Sequence, residues 1–248
     1  MHDHRPKHLS RRALLGVLTA VGGAAIAGAC GATAAPTSPA TDSTATGASS
    51  GGTTTSGACA VIPSETEGPY PDRTGMINNP AFLRRDVTEG KPGVPLTLAL
   101  TIVSSGNGCR AVAGASVEIW HCDAAGNYSE YSQPGFNGTG QTFLRGVQTA
   151  DSAGQVTFTT IYPGWYAGRA THIHVQVYIN GSVAKTTQVA FPESITAGVY
   201  GTGIYASHGQ NTTSNASDNV FSDGTSTEMA TLSGNSASGY AASLTIAI

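Results

Sequence analysis

The run His172-Ile173-His174-Val175-Gln176-Val177-Tyr178-Ile179 decides the architecture. Alternate side chains of an extended strand share a face. One face of this run carries Ile173, Val175, Val177 and Ile179, all apolar, and the opposite face begins with two imidazoles. A 3.6-residue helical period would mix the two sets. The run therefore predicts a strand whose apolar face lies in a core while His172 and His174 point together to the other side.

Similar short runs recur along the chain: Val94 to Val103, Ala115 to His121, Gln155 to Ile161, Val183 to Phe191, and Tyr240 to Ile248. Gly-Asn, Asn-Gly and Ser-Gly turn signals separate them. The one helical candidate is a turn or two near Pro192 to Val199. Strands at this spacing predict an all-β fold, a β-sandwich core with long loops. Gly201-Thr202-Gly203-Ile204-Tyr205-Ala206 mimics a dinucleotide loop, but no strand–helix context surrounds it.

The chain has 248 residues, 11% of them charged, with 32 Gly and 12 Pro. Its net charge of −3 is uneven, because four of the 12 Lys and Arg residues fall within the first twelve positions. Beyond Cys30, 8 basic residues face 14 acidic ones. That balance excludes the positive field that nucleic acid binding needs.

The first segment, residues 1–30, reads as an address. A basic stretch precedes the apolar run Leu14 to Ala29, the layout of an export signal. Ser10-Arg11-Arg12-Ala13-Leu14-Leu15 matches the twin-arginine (Tat) pattern. Cleavage has two readings. Ile26-Ala27-Gly28-Ala29-Cys30 resembles a lipobox that would make Cys30 a lipid anchor to the membrane, and Ala32-Thr33-Ala34 offers a plain signal-peptidase site. Residues 31–58, almost all Gly, Ala, Ser, Thr and Pro, form a flexible linker that cannot build a core. The expected domain spans 59–248, outside the cytoplasm, either extracellular or anchored to the cell envelope.

Export permits disulfides among Cys59, Cys109 and Cys122. Cys122 ends an apolar strand, and a 109–122 bridge would have to reach back along that strand. The pair Cys59–Cys109 is therefore favoured. No cysteine pair at two-residue spacing exists, which excludes a zinc ribbon.

Chemistry concentrates around the two imidazoles. Beyond the signal only four histidines exist, and two of them share one face of one strand. No acid lies between Asp151 and Glu193 to complete a two-histidine, one-carboxylate triad. What surrounds the pair is tyrosine. Tyr162, Tyr166 and Arg169 lie on the segment leading into the strand, and Tyr128 follows a Gly turn after Trp120-His121-Cys122-Asp123. Phenolates are hard anionic donors, so two of them beside two imidazoles favour Fe(III). His121, inside a strand, reads as structural, and His208, in a Gly/Asn/Ser loop, as solvated.

These residues carry a resemblance. Ile62 to Tyr70, Val117 to Ser129, Phe143 to Thr149, Tyr162 to Tyr166, Arg169 to His174 and Thr187-Gln188 together resemble the intradiol ring-cleavage dioxygenases of the protocatechuate/catechol dioxygenase superfamily, and in particular their exported members. The resemblance implies one non-haem Fe(III) per chain held by Tyr128, Tyr166, His172 and His174. It gives Arg169 the role of stabilising the carbanion-like substrate, with Tyr166 also catalytic. Gln188, Arg169, Gly68, Pro69 and Tyr70 would contact substrate. The spacer from Tyr166 to His172 is shorter than in the best-known members, which leaves Tyr162 as a rival ligand. The helical dimerisation segment of classical catechol dioxygenases has no counterpart, so no oligomeric state is implied.

The implied reaction is aromatic catabolism: a catechol-type diol and O2 give a cis,cis-muconate-type diacid, with both oxygen atoms incorporated. Apart from Arg169, the matched pocket residues offer no cation for a ring carboxylate, which speaks against protocatechuate. A rival of a different class is a non-catalytic cell-surface β-sandwich that binds carbohydrate or protein. A copper or zinc His-x-His protein is a further rival. Both leave Tyr128, Tyr166 and Arg169 unexplained.

Overall fold

A computed structural model describes residues 59–248. The export signal, the linker and Cys30 lie outside the described residues. In chain order the elements are β1 (Pro95–Ser104), β2 (Arg110–Ala111), β3 (Ser116–Trp120), β4 (Ser132–Gln133), β5 (Phe136–Asn137), β6 (Arg145–Thr149), β7 (Gln155–Ile161), β8 (His172–Ile179), β9 (Ser182–Ala190), α1 (Glu193–Tyr200), β10 (Thr231–Asn235) and β11 (Gly239–Ala247). Short 3-10 turns punctuate the loops.

Two sheets carry the fold. One runs β10-β11-β1 and continues through β2 and β7, both of which pair with β1. Its β1–β11 pairing is parallel, so the C-terminal strand closes against the first long strand. The other sheet runs β6-β3-β8-β9 and is antiparallel throughout. The alternation expected of β8 decides how it sits. Ile173, Val175 and Val177 join Val117 and Ile119 of β3 and the buried Leu96, Leu98, Leu100 and Ile102 of β1 in one apolar cluster. The fold is an all-β sandwich, and β7 adds Val156 and Phe158 to its core.

The expected runs fall on β1, β3, β7, β8, β9 and β11 to within two residues at each end, and the helix near Pro192 is α1. The short strands β2, β4, β5, β6 and β10 were not legible from local pattern. Of these, β2, β4 and β5 span two residues each, too few to show a period, and β10 reads Thr-Leu-Ser-Gly-Asn, with little to bury.

Cys59 and Cys109 form the disulfide, with Cα atoms 5.7 Å apart, and Cys122 is a buried free thiol. The bridge ties the first described residue to the turn after β1 across a separation of 50 residues.

Candidate metal centre

Strand register builds the centre. Across β8, His174 is flanked by Trp120 of β3 on one side and Gln188 of β9 on the other. The Trp120 and His174 rings stack with centroids 4.8 Å apart and planes 4° from parallel. His172 Nδ1 lies 2.6 Å from the Ala170 carbonyl oxygen. A carbonyl only accepts, so Nδ1 carries the proton and Nε2 presents a bare lone pair. The Nε2 atoms of His172 and His174 are 3.1 Å apart.

Tyrosines approach from three segments between strands. Tyr166 is half-buried, and its Oη is 3.4 Å from His172 Nε2. Tyr128 is fully buried, and its Oη has no hydrogen-bond partner of normal geometry, although it faces Tyr166 closely enough to perturb that phenol. The Tyr128 and Tyr166 rings meet edge-on at 5.6 Å. Tyr70 stacks on Tyr128 at 4.5 Å and meets Tyr166 edge-on at 5.6 Å. Tyr162 is elsewhere. Its hydroxyl hydrogen-bonds to Thr196 at 2.7 Å and its ring packs in the main core, so the structure removes the rival ligand.

Burial sets the protonation of the donors. It pushes His172 down to about 3, assisted by the positive charge of Arg169, and holds His174 well below its ordinary value. Both imidazoles are thus neutral, the form that binds a metal. Burial also raises the phenols, Tyr166 to about 12 and Tyr128 well above its ordinary value. A trivalent cation would reverse that sign by giving the phenolates a counter-charge.

These donors fit a ferric ion on three counts. The set is two phenols and two neutral imidazoles. The Tyr128 hydroxyl is buried and meets no ordinary partner. Two nitrogens bound at about 2.1 Å to one ion, roughly at right angles, lie about 3 Å apart, close to the 3.1 Å separation of the imidazoles.

Arg169 sits beside this cluster and is 8% exposed. Its Nε donates to both Asp218 oxygens at 2.8 and 3.0 Å, and its Nη2 donates to Gln188 Oε1 at 2.5 Å. Its Nη1 lies 3.4 Å from His172 Nε2. Gln188 in turn donates through Nε2 to the Thr66 carbonyl at 3.0 Å, which ties the segment ahead of Gly68 to β9. Gly68 has φ +69°, and a Cβ there would lie 2.9 Å from His174 Cε1. Gly68 and Tyr70 therefore border the centre, with the exposed Pro69 between them.

The structure adds residues the sequence did not single out. Asp218 lies 49 positions from Arg169, on a loop with no periodic pattern. Arg145 is wholly buried on β6, where it donates to Ser129 Oγ at 3.0 Å, the Ser129 carbonyl at 3.1 Å and the Tyr70 carbonyl at 3.0 Å. It thereby ties the Tyr70 segment to the Tyr128 loop. An arginine directly after the apolar pair Phe143-Leu144 was the available signal. His121 is structural as expected, bonded to the Cys122 carbonyl at 2.9 Å and Thr160 Oγ1 at 2.7 Å. The expectation of a solvated His208 is corrected. Its ring lies 4.4 Å from that of Trp165, and its Nε2 is 2.9 Å from the Trp165 carbonyl oxygen.

Comparison with known proteins agrees with this geometry. The profile of the dioxygenase family matches residues 66–197, just over half of the 248-residue chain. An intradiol ring-cleavage dioxygenase from Tetranychus urticae is 29% identical with a TM-score of 0.69, covering 77% of this chain and 95% of that one. The dioxygenase domain of a dioxygenase–carbohydrate-binding protein fusion from Streptomyces sp. SirexAA-E is 25% identical with a TM-score of 0.55, covering 76% and 98%. A 3-chlorocatechol 1,2-dioxygenase from Rhodococcus opacus, 20% identical over 74% of this chain and 71% of that one with a TM-score of 0.50, shares the fold. Fold and family match define an all-β dioxygenase. Within that class, the chain belongs to the intradiol ring-cleavage dioxygenases.

Proposed function

We propose that the domain binds one non-haem Fe(III) through Tyr128, Tyr166, His172 and His174 and cleaves a catechol-type ring between its two hydroxylated carbons. With O2 the product is a cis,cis-muconate-type diacid, and both oxygen atoms enter it. One observation carries this reading: two imidazole nitrogens 3.1 Å apart, a phenol oxygen 3.4 Å from one of them, and a second, buried phenol without an ordinary partner beside the first. Ferric iron, once bound, would supply Lewis acidity and make a coordinated diol electron-rich towards O2.

The chain's own residues do the rest. Tyr166, the less buried phenol, would be held as a phenolate by the ferric ion, and in that form its Oη accepts a diol proton. Arg169 is preorganised by Asp218 and Gln188, with Nη1 turned towards the centre, and it stabilises negative charge that develops on the ring. Such a fixed donor in a dry site contributes a few kcal/mol of transition-state stabilisation. Tyr70 borders the mouth beside Tyr128 and Tyr166, and Gly68 lets the mouth segment close on His174.

O2 uptake by iron-loaded protein over a panel of catechol, hydroxyquinol, protocatechuate and lignin-derived diols tests the reaction. Uptake with a muconate-type product spectrum is expected. A colourless protein that takes up no iron and consumes no O2 would favour the non-catalytic binding module instead.

We also propose that the domain works outside the cytoplasm, through a Tat-type signal in residues 1–30 and with Cys30 as a lipid anchor. The Cys59–Cys109 disulfide supports an oxidising compartment. Fractionation of cells producing the full chain and its Cys30→Ser variant tests both points. Residence in the cytoplasm would reject export, and unchanged release of the variant would reject the anchor.

A further inference from the structure

We propose that Glu65, Asp223 and Glu228 bind a calcium ion that braces the mouth of the active site. One carboxylate oxygen from each lies within 4.8 Å of the other two. A point equidistant from three oxygens at that limit lies about 2.8 Å from each, so a small inward turn of the exposed Asp223 brings all three to calcium–oxygen bonds of about 2.4 Å. Three carboxylates form a hard, anionic oxygen set, which suits calcium rather than a softer transition metal.

Glu228 supplies a second and separate observation. It is 0% exposed, and its Oε1 accepts from Thr187 Oγ1 at 3.1 Å, but its Oε2 has no hydrogen-bond partner of normal geometry. A buried carboxylate oxygen without a partner is costly, and a cation is the partner that a second and third carboxylate beside it would select. Burial and the negative charge of Glu65 push the Glu228 carboxyl up to about 8. The frame is already rigid. The Glu65 amide donates to the Thr186 carbonyl at 2.9 Å, and the Ala190 amide donates to the Glu228 carbonyl at 2.9 Å, so both glutamates are pinned along β9.

The location gives the ion a task. Glu65 precedes Thr66, whose carbonyl accepts from Gln188, and Gly68 borders His174. Calcium would link the segment that forms the mouth to the loop carrying Asp223 and to Glu228, without touching the iron ligands.

The test is equilibrium dialysis of radioactive calcium against iron-loaded protein freed of calcium with EGTA, followed by thermal denaturation. About one calcium per chain is expected, with magnesium a weaker competitor. Saturation at a hundred times Kd should raise Tm by about 5 °C. Asp223→Asn, at an exposed position, keeps the fold and should weaken binding at least tenfold and abolish the Tm rise. Glu228→Gln should do the same where it folds. Failure of wild-type protein to bind calcium at millimolar concentration would overturn the proposal and leave three carboxyls sharing protons. Undiminished binding by Asp223→Asn would also overturn it.

Discussion

Arg169 and Asp218 form a buried ion pair, Nε to carboxylate at 2.8 and 3.0 Å, with 8% and 2% of each residue exposed. The same carboxylate accepts from the Ala170 amide at 2.8 Å. Asp218 therefore fixes both the guanidinium and the backbone just before His172. With Nε held by Asp218 and Nη2 by Gln188, Nη1 is left facing the centre, which is what electrostatic preorganisation requires.

Two variants separate these roles. Arg169→Ala should keep iron and colour but lower kcat by about a hundredfold or more, on the scale of a lost transition-state donor. Asp218→Asn should lower kcat less and cost about 3 kcal/mol of stability, because it leaves a buried guanidinium without its counter-charge. Steady-state kinetics and thermal unfolding distinguish them. A wild-type rate in Arg169→Ala would reject the assignment.

Tyr128→Phe and Tyr166→Phe each remove one phenolate donor. Iron-loaded wild-type protein should be red-brown from phenolate-to-iron charge transfer, and each variant should shift or lose that band. Tyr162→Phe should leave it untouched, since the Tyr162 hydroxyl is bonded to Thr196. Visible spectra of the three variants check the ligand set, and unchanged spectra in both of the first two would refute it.

Gly68→Ala tests the close approach at the mouth. The substitution forces an L side chain to φ +69° and sets its Cβ 2.9 Å from His174 Cε1. Backbone strain alone costs about 1 kcal/mol, and either His174 or the mouth segment must move. Reduced iron occupancy and a raised KM are expected. Metal analysis and kinetics measure them, and normal values for both would show that the segment yields freely.

Acid stability should report His121. Burial pushes this imidazole down to about 4, against roughly 6.5 in an unfolded chain. The unfolded state thus binds a proton first as pH falls. The neutral ring's contribution is intact above pH 6.5 and is lost progressively on going down to about 4, a change of about 3 kcal/mol. His121→Gln should flatten that acid limb in urea titrations. Glu118 works in the opposite direction. Burial raises it to about 7, so its contribution is full below pH 4.5 and is lost as pH rises through 7. Glu118→Gln should therefore flatten the neutral limb.

Much of this protein is local and could be read directly. The alternation in β8 placed His172 and His174 on one face and Ile173, Val175 and Val177 on the other, because the strand period is two whatever surrounds it. The same rule located the long strands. The pair Cys59–Cys109 followed from the direction in which a strand runs. What local pattern could not settle was the choice between Tyr162 and Tyr166, ten residues and six residues ahead of His172. That choice depends on how the loop between them folds. It is pinned by the Tyr205 hydroxyl on the Tyr162 carbonyl at 2.6 Å and the Tyr200 hydroxyl on the Pro163 carbonyl at 3.0 Å.

The sequence by itself determined the strand period, the facing imidazoles and the tyrosine-rich surroundings that mark the family. Tertiary structure alone decided that Asp218 anchors Arg169, that Arg145 ties Tyr70 to the Tyr128 loop, and that Glu65 meets Glu228. Those partners are separated by 49, 75 and 163 residues along the chain. Contacts of that range leave no period or spacing in sequence, because they are fixed by how sheets and loops pack and not by the dihedral preferences of neighbouring residues.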